Sequence, residues 1–310
     1  MAARARTLPA AIAPVLVGSA AAWWATNDAC VSWKDEIAPD TAYALVFCDP
    51  FFHWGAFVAA LVGSIFIQIG TNLANDYSDA KRGADTEDRL GPVRVTAAGL
   101  VAPRRVLHAT WLAFAVAVAA GIYLATVAGP LIIAVGAASI LAGVLYTGGP
   151  RPYGYAGMGE LFVFLFFGLV AVNGSYYVQI EQLDLLPFVL SVPVGFLSTA
   201  ILVVNNVRDL ETDRRAGKRT LAVRLGRERA VKLYFALVGG AYIALAIGLA
   251  ATGGPWWALI ACGSAPLAIQ PSRAVSQRSD GPSLNAALAQ TGALLGAFSL
   301  LLTAGLLIAA

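Results

Sequence analysis

Long apolar segments with few charged residues follow one another along the whole chain, and no other feature constrains its fold as strongly. Nine can be marked, each close to the roughly 20 residues that a helix needs to cross a bilayer. They lie at 8–26, 51–71, 104–124, 128–147, 156–175, 187–205, 231–251, 255–271 and 285–309. Only 13% of the 310 residues are charged, against about 25% in a soluble domain. We therefore predict an all-α membrane protein with nine transmembrane helices, and exclude a soluble enzyme, a disordered chain and a nucleic-acid-binding protein.

The basic residues predict how these spans are oriented. With nine spans and a cytoplasmic N-terminus, every lysine and arginine except Lys34 falls on the cytoplasmic side, as the positive-inside rule requires. The same count predicts an external C-terminus. The first segment resembles a signal peptide in part, but Trp23 and Trp24 at its far end favour a retained helix with an interfacial anchor.

Cys30 and Cys48 fall in the same predicted external loop. Because external compartments are oxidising, a disulfide between them is one expectation. Two free or buried thiols are the other, and the sequence leaves both open.

Two similar acidic motifs each follow a long apolar segment. Residues 71–79 read TNLANDYSD and residues 205–213 read NNVRDLETD. Residues three, four and seven apart share one face of a helix. Asn72, Asp76 and Asp79 should therefore point one way, and Asn205, Asp209 and Asp213 should do the same. The shared N-x-x-x-D spacing suggests a weak internal repeat, with two related halves facing one site.

Carboxylates at membrane depth are costly, so these clusters should line an aqueous cavity or be neutralised. Mg²⁺ is commonly held by one or two carboxylates together with substrate phosphates. Two facing clusters would thus suit a diphosphate bridged by Mg²⁺. A solvated helix end with ordinary surface acids is the alternative, and it is the better interpretation of either cluster alone. The matched pair favours a functional site.

Cations follow both motifs within the predicted cytoplasmic cap loops, 72–103 and 206–230. Lys81, Arg82 and Arg94 follow the first motif, and Lys218 follows the second. Such side chains bind phosphate oxygens directly. Neither loop contains a P-loop, and no G-x-G-x-x-G follows a strand, so the sequence does not predict a nucleotide site.

Several stretches together resemble the UbiA superfamily of intramembrane aromatic prenyltransferases, and within it the branch that uses 1,4-dihydroxy-2-naphthoate in menaquinone synthesis. The resemblance rests on residues 6–14 (RTLPAAIAP), 72–94 (NLANDYSDAKRGADTEDRLGPVR), 145–155 (LYTGGPRPYGY), 159–160 (GE) and 205–220 (NNVRDLETDRRAGKRT). Many members of the superfamily carry an acid at the position of Gly83, for which Asp85 is the candidate substitute here.

The resemblance implies one domain over residues 1–310, with the helices in a ring around a central cavity. It implies transfer of a polyprenyl group from polyprenyl diphosphate to the naphthoate, with loss of diphosphate and CO₂, giving demethylmenaquinone. Asp76, Asp79, Asp209 and Asp213 would hold two Mg²⁺ ions on the diphosphate. The expected substrate-binding residues are Asn72, Asn75, Lys81, Arg82, Arg94, Tyr146, Tyr153, Asn205 and Lys218.

An allylic cation needs protection from water and benefits from aromatic faces. Tyr146, Tyr153 and the aromatic residues within 162–167 are the candidates, although lipid or core contact is the commoner role for any one phenylalanine. Glu160 is the only acid within a predicted span, which makes it a catalytic candidate. A helix-to-helix hydrogen bond explains it equally well.

Two other functions remain open. A UbiA-type enzyme acting on 4-hydroxybenzoate or homogentisate would carry the same acidic motifs. A secondary transporter would also show repeated halves and polar helix breaks, but its site would lie near the membrane midplane. The expected location is a bacterial plasma membrane with the active site facing the cytoplasm. The expected partners are polyprenyl diphosphate, the naphthoate and the bilayer, with no nucleic acid, and the oligomeric state is open.

Overall fold

The computed structural model describes residues 7–37, 52–83, 90–91 and 94–310, with the backbone alone at 29–37. The side chain of Cys30 and the whole of Cys48 lie outside the described part of the chain, so the possible Cys30–Cys48 pair stays a prediction. Within the described part every regular element is helical. The helices are α1 (Leu8–Ile37), α2 (Trp54–Lys81), α3 (Pro103–Ala128), α4 (Leu131–Leu145), α5 (Gly159–Ile180), α6 (Leu185–Arg208), α7 (Leu210–Arg215), α8 (Leu221–Leu225), α9 (Arg227–Thr252), α10 (Ile269–Gln277) and α11 (Gly281–Ala309). A 3₁₀ segment, Trp256–Ala268, leads into α10.

Seven of these helices are long and apolar enough to cross a membrane: α1, α2, α3, α5, α6, α9 and α11. The fourth predicted span coincides with α4, which has only 15 residues. The eighth coincides with the 3₁₀ segment and the start of α10. The all-helical membrane class is thus confirmed, whereas the count of nine spans and the orientation stay predictions.

The apolar side chains fall into an inner and an outer set. Leu190, Leu197, Leu294 and Phe298 are fully enclosed in a core between α6 and α11. Large apolar side chains elsewhere on the spanning helices remain exposed, among them Leu112, Ile243, Ile247 and Leu300. A contiguous exposed apolar surface marks contact with lipid or another protein. On helices of this length it is the face that meets the bilayer.

Glycines permit close contact between two of the helices that enclose the interior. In α5 the turn Phe164–Val170 is π-helical. A Cβ on Gly168 would lie 2.7 Å from Cα of Gly195 in α6 and 2.9 Å from the carbonyl oxygen of Ser191. Small residues at such contacts let membrane helices pack backbone to backbone. The contact fixes α5, with its row of phenylalanines, against α6.

The two acidic motifs lie at helix ends whose local structure differs. Helix α2 continues to Lys81, so residues 72–81 of the predicted first cap loop are helical. Helix α6 ends at Arg208, and the short helices α7 and α8 follow within the second cap. Gly217 adopts a φ of +73°, which glycine tolerates without strain. The turn lets the Lys218 amide donate to the Asp213 carbonyl at 2.9 Å.

Candidate functional site

A cavity of about 350 Å³ runs between the helices. Its lining extends along α2 from Ala60 to Asp79, which is about 28 Å of helix axis. Among the described residues, the lining comes from helices α1 to α6 and α11, together with the two caps and the α4–α5 loop. Helix α9 packs on α6, and the 3₁₀ segment packs on α11. Those two elements do not line the cavity, which differs from the expectation that all nine helices surround it.

Both acidic motifs contribute to the polar end of this cavity. Its lining there contains Asn72, Asn75, Asp79, Arg94, Thr147, Tyr155, Asn205, Asn206, Asp209, Thr212, Asp213, Lys218 and Thr220. The motifs are more than 120 residues apart in sequence, so the helix packing brings them together. The hypothesis that the two motifs face one site therefore agrees with the geometry.

Asp79 is the most heavily contacted acid of the first motif. Its Oδ2 lies 2.9 Å from Nη2 of Arg94 and 3.5 Å from Nζ of Lys218. Its Oδ1 accepts a hydrogen bond from the Tyr155 hydroxyl at 2.6 Å. These three contacts hold the Asp79 carboxylate in one orientation at the cavity wall.

Asp76 differs from its expected orientation. It is only 2% exposed and is not among the residues that line the cavity. Its Oδ2 accepts from the Thr96 hydroxyl at 3.0 Å, and Nη1 of Arg94 lies 3.9 Å from its Oδ1. These contacts direct the Asp76 carboxylate toward Thr96 and Arg94, whereas Asn72, Asn75 and Asp79 line the cavity. The prediction that Asn72, Asp76 and Asp79 share the cavity face is thus wrong for Asp76.

Arg208 organises the second motif. Its Nε and Nη2 donate to the two carboxylate oxygens of Asp209 at 2.8 and 2.6 Å. Nη2 also donates to Oδ1 of Asn205 at 2.8 Å. The forked contact to both oxygens is the geometry in which arginine binds a carboxylate most strongly. Arg208 thereby fixes both Asn205 and Asp209 at the end of α6.

Lys218 joins the two motifs. Its Nζ lies 3.5 Å from Oδ2 of Asp79 and 3.9 Å from Oδ1 of Asp213. The same ammonium lies 4.8 Å from the centre of the Tyr155 ring, within the range of a cation–π contact. One positive charge is thus shared by a carboxylate from each motif.

The other predicted cations divide into two groups. Arg94 lines the cavity, as Lys218 does, but Lys81 and Arg82 do not. Lys81 is the last residue of α2 and Arg82 follows it, and both are exposed. Arg82 donates to the carbonyl of Gly149 and lies 5.8 Å from the centre of the Tyr155 ring. Its contacts tie the end of α2 to the α4–α5 loop.

An aromatic row leads away from the polar end. The rings of Tyr146 and Tyr153 meet edge to face at 5.4 Å. Tyr153 stacks on Phe162 at 4.0 Å, and Phe162 stacks on Phe166 at 6.1 Å. All four residues line the cavity. Burial raises the pKa of Tyr153, and its hydroxyl donates to the Ala142 carbonyl at 2.9 Å.

Glu160 lies behind the cavity wall. It is buried, and its Oε1 accepts from the amide of Asn206 at 2.8 Å. Its Oε2 accepts no hydrogen bond within the described residues. Asn206 lines the cavity but Glu160 does not. Of its two interpretations, the geometry agrees with the helix-to-helix hydrogen bond.

Several contributors to the site were not singled out from the sequence. Thr147 donates to Oδ1 of Asn75 at 2.8 Å. Thr7 accepts from Gln68 at 3.0 Å and from Asn72 at 3.4 Å. Thr7 and Thr147 lie in the stretches 6–14 and 145–155 that carry the family resemblance. That position does not reveal which side chains they contact. Arg208 lies within the second motif, but the sequence does not indicate its contacts.

The donor set fits a divalent cation held jointly with a ligand. Among the described residues no three His, Cys, Asp or Glu side chains form a closed metal cluster. Carboxylates of Asp79 and Asp213 nevertheless lie around one cationic nitrogen, with Asp209 also on the cavity wall. Mg²⁺ characteristically takes a few carboxylate oxygens and completes its shell with phosphate and water.

Comparisons with known proteins agree with this geometry. A model of the UbiA prenyltransferase family matches residues 40–302. The 1,4-dihydroxy-2-naphthoate octaprenyltransferase of Mycobacterium tuberculosis is 43% identical, with 94% of this chain and 90% of that protein covered.

Solved structures share the fold at low sequence identity. The apo structure of a UbiA homologue from Aeropyrum pernix K1 has a TM-score of 0.65 at 13% identity, covering 98% of this chain and 96% of that one. A UbiA homologue from Archaeoglobus fulgidus bound to DMAPP and Mg²⁺ has a TM-score of 0.57 at 16% identity, covering 96% and 98%. The resemblance noted in the sequence is thus confirmed, and the chain belongs to the UbiA prenyltransferase family.

Proposed function

We propose that this prenyltransferase moves a polyprenyl group from polyprenyl diphosphate to 1,4-dihydroxy-2-naphthoate. The products are diphosphate, CO₂ and demethylmenaquinone, which forms as its quinol. The observation that carries the proposal is the contact of Lys218 with an acid of each motif at the polar end of an aromatic-lined cavity. The name of the mycobacterial relative supports the naphthoate as acceptor.

Two Mg²⁺ ions are the proposed cofactor, and Asp79, Asp209 and Asp213 are their proposed ligands. Asp76 is the fourth proposed ligand, next to Arg94. The homologue that binds DMAPP with Mg²⁺ supports this assignment. When bound, Mg²⁺ neutralises the charge that develops on the departing diphosphate. Asn72 and Asn205 orient the donor groups, and Arg94 and Lys218 bind the remaining phosphate oxygens. These preorganised charges act where negative charge grows in the transition state.

The apolar part of the cavity receives the prenyl chain. As the allylic C–O bond breaks, Tyr146, Tyr153 and Phe162 exclude water and present ring faces to the developing carbocation. The naphthoate carbon that bears the carboxylate then forms the new C–C bond, and its neighbouring hydroxyl releases a proton. Loss of CO₂ returns an electron pair to the ring, and reprotonation of the oxygen gives the quinol. Asn206, oriented by Glu160, is positioned on the cavity wall to accept a hydrogen bond from that hydroxyl.

An acceptor panel tests the reaction. Purified protein would receive Mg²⁺, a prenyl diphosphate and either 1,4-dihydroxy-2-naphthoate, 4-hydroxybenzoate or homogentisate. We expect a product with the mass of decarboxylated, prenylated naphthoate, abolished by EDTA and restored by Mg²⁺. Product from 4-hydroxybenzoate and none from the naphthoate would overturn the choice of acceptor.

We also propose nine spans in a bacterial plasma membrane, with both caps in the cytoplasm. Two exposed residues test this orientation: Glu211 in the second cap should face the cytoplasm, and Leu183 between α5 and α6 should face the outside. In a cysteine-free background, Glu211→Cys should react with an impermeant thiol reagent only after the cells are opened. Leu183→Cys should react in intact spheroplasts. The reverse pattern would contradict the orientation.

A further inference from the structure

We propose that Asn285, at the start of α11, is a positioning residue that couples the second acidic motif to the first cap. The inference rests on the proposed function and extends it to a residue outside both motifs. The relevant chain of contacts runs from Asp209 through Arg208 and Asn285 to the carbonyl of Leu90.

The first step is the contact between Asn285 and Arg208. Nη1 of Arg208 donates to Oδ1 of Asn285 at 2.7 Å. The other nitrogens of this guanidinium, Nε and Nη2, donate to Asp209 and Asn205. Asn285 therefore holds the one edge of the guanidinium that faces away from the second motif. Without it, Arg208 would keep only its contacts within the second motif, and the position of Asp209 on the cavity wall would be less restrained.

The second step is the contact between Asn285 and the first cap. Nδ2 of Asn285 donates to the carbonyl oxygen of Leu90 at 2.9 Å. Four residues further along the chain, Arg94 contacts Asp79 at 2.9 Å and Asp76 at 3.9 Å. Leu90, which Asn285 contacts, therefore precedes by four sequence positions the arginine that contacts both acids of the first motif.

The residue type suits this double role. A side-chain amide offers a carbonyl oxygen that accepts and an NH₂ group that donates. Arginine supplies only donors, and a backbone carbonyl only accepts. Aspartate at this position would satisfy Arg208 but not Leu90, and leucine would satisfy neither. Asparagine therefore satisfies both neighbours at once.

The first turn of α11 is built to receive Leu90. Oδ1 of Asp280 accepts from the Ser283 amide at 2.8 Å and caps the helix. A Cβ on Gly281 would lie 3.0 Å from the Leu90 carbonyl oxygen and 3.1 Å from its Cβ. The absence of a side chain at Gly281 lets Leu90 approach Asn285. One turn beyond Asn285, Leu288 lines the cavity.

The test measures binding before chemistry. The full chain in nanodiscs would be titrated with farnesyl thiolodiphosphate, which resists ionisation, at several Mg²⁺ concentrations. Asn285→Leu should raise both the Kd and the Mg²⁺ concentration for half-saturation by at least about tenfold, equivalent to ~1.4 kcal/mol. Asn285→Asp, which keeps the Arg208 contact, should fall between Asn285→Leu and the wild type. The KM for prenyl diphosphate should rise while that for the aromatic acceptor stays unchanged.

A matched control lies on the same helix. Gln290 makes an exposed contact with Gln270 at 3.2 Å, so Gln290→Leu should bind like the wild type. Gly281→Ala, which displaces Leu90 without touching Asn285, should reproduce the weakened binding and carries the test if Asn285→Leu does not fold. The inference would be overturned if folded Asn285→Leu bound the thiolodiphosphate with a Kd within about twofold of wild type. If Asn285→Leu does not fold, the same result for Gly281→Ala would overturn it. A wild type that binds the thiolodiphosphate but makes no naphthoate product would overturn the proposed function alone.

Discussion

Nζ of Lys218, from the second cap, lies 3.5 Å from Oδ2 of Asp79, at the end of α2. The contact joins residues that are 139 positions apart, and Asp213 lies 3.9 Å from the same nitrogen. Lys218 is almost fully buried. A lysine is rarely buried unless it is paired, and this one is paired with both motifs. The polar end of the cavity is therefore one electrostatic unit rather than two separate helix ends.

Replacing Lys218 should weaken binding of the diphosphate. Lys218→Met keeps the apolar stem but removes the charge, and loss of a buried charge partner costs about 2 kcal/mol or more. We expect the KM for prenyl diphosphate to rise by about 30-fold, measured by initial rates at saturating acceptor. Lys232→Met is the control, because Lys232 is exposed and contacts Glu228 on α9. Equal effects of the two substitutions would contradict a specific role.

Removing the aromatic ring of Tyr153 should let water intercept the carbocation. Tyr153→Phe keeps the stack on Phe162 and loses only the hydrogen bond to Ala142, a change of about 1 kcal/mol in stability. Tyr153→Leu loses the ring. We expect Tyr153→Leu to release a larger share of prenyl alcohol relative to prenylated product, measured by mass spectrometry, while Tyr153→Phe matches the wild type. The same product ratio in both variants would count against a shielding role.

Substitution of Glu160 separates a positioning role from proton transfer. Glu160→Gln keeps an oxygen that accepts from Asn206, whereas Glu160→Leu removes it. A positioning role predicts that Glu160→Gln retains kcat within about threefold, while Glu160→Leu loses about tenfold or more. General acid–base catalysis typically contributes about 100-fold or more to the rate. If the single-turnover rate of Glu160→Gln fell by that much, Glu160 would instead have a proton-transfer role.

The sequence predicts elements better than contacts in this protein. Apolar length locates α2, α6 and α11, since hydrocarbon thickness sets the length of a span. It does not reveal that α5 carries a π-helical turn or that Trp256–Ala268 is 3₁₀-helical, because these depend on packing against neighbours.

The candidate site shows the same division between spacing and partners. Spacing places Asn72, Asp79, Asp209 and Asp213 on one cavity. It fails for Asp76, whose carboxylate contacts Thr96 and Arg94 from a segment that the helical spacing does not include. Partners from distant segments, such as Arg208 with Asn285, follow only from the tertiary fold.

Diphosphate release by paired acid variants tests the central claim that both motifs act on one diphosphate. Asp79→Asn and Asp213→Asn would be measured singly and together at saturating Mg²⁺. Glu211→Gln is the control, because Glu211 is an exposed acid that pairs with Arg214. Because residues that act as a unit are strongly non-additive, we expect each single variant to lose about 100-fold or more. The double variant should lose little beyond that, and Glu211→Gln should match the wild type. Near wild-type release by either single variant would contradict the account.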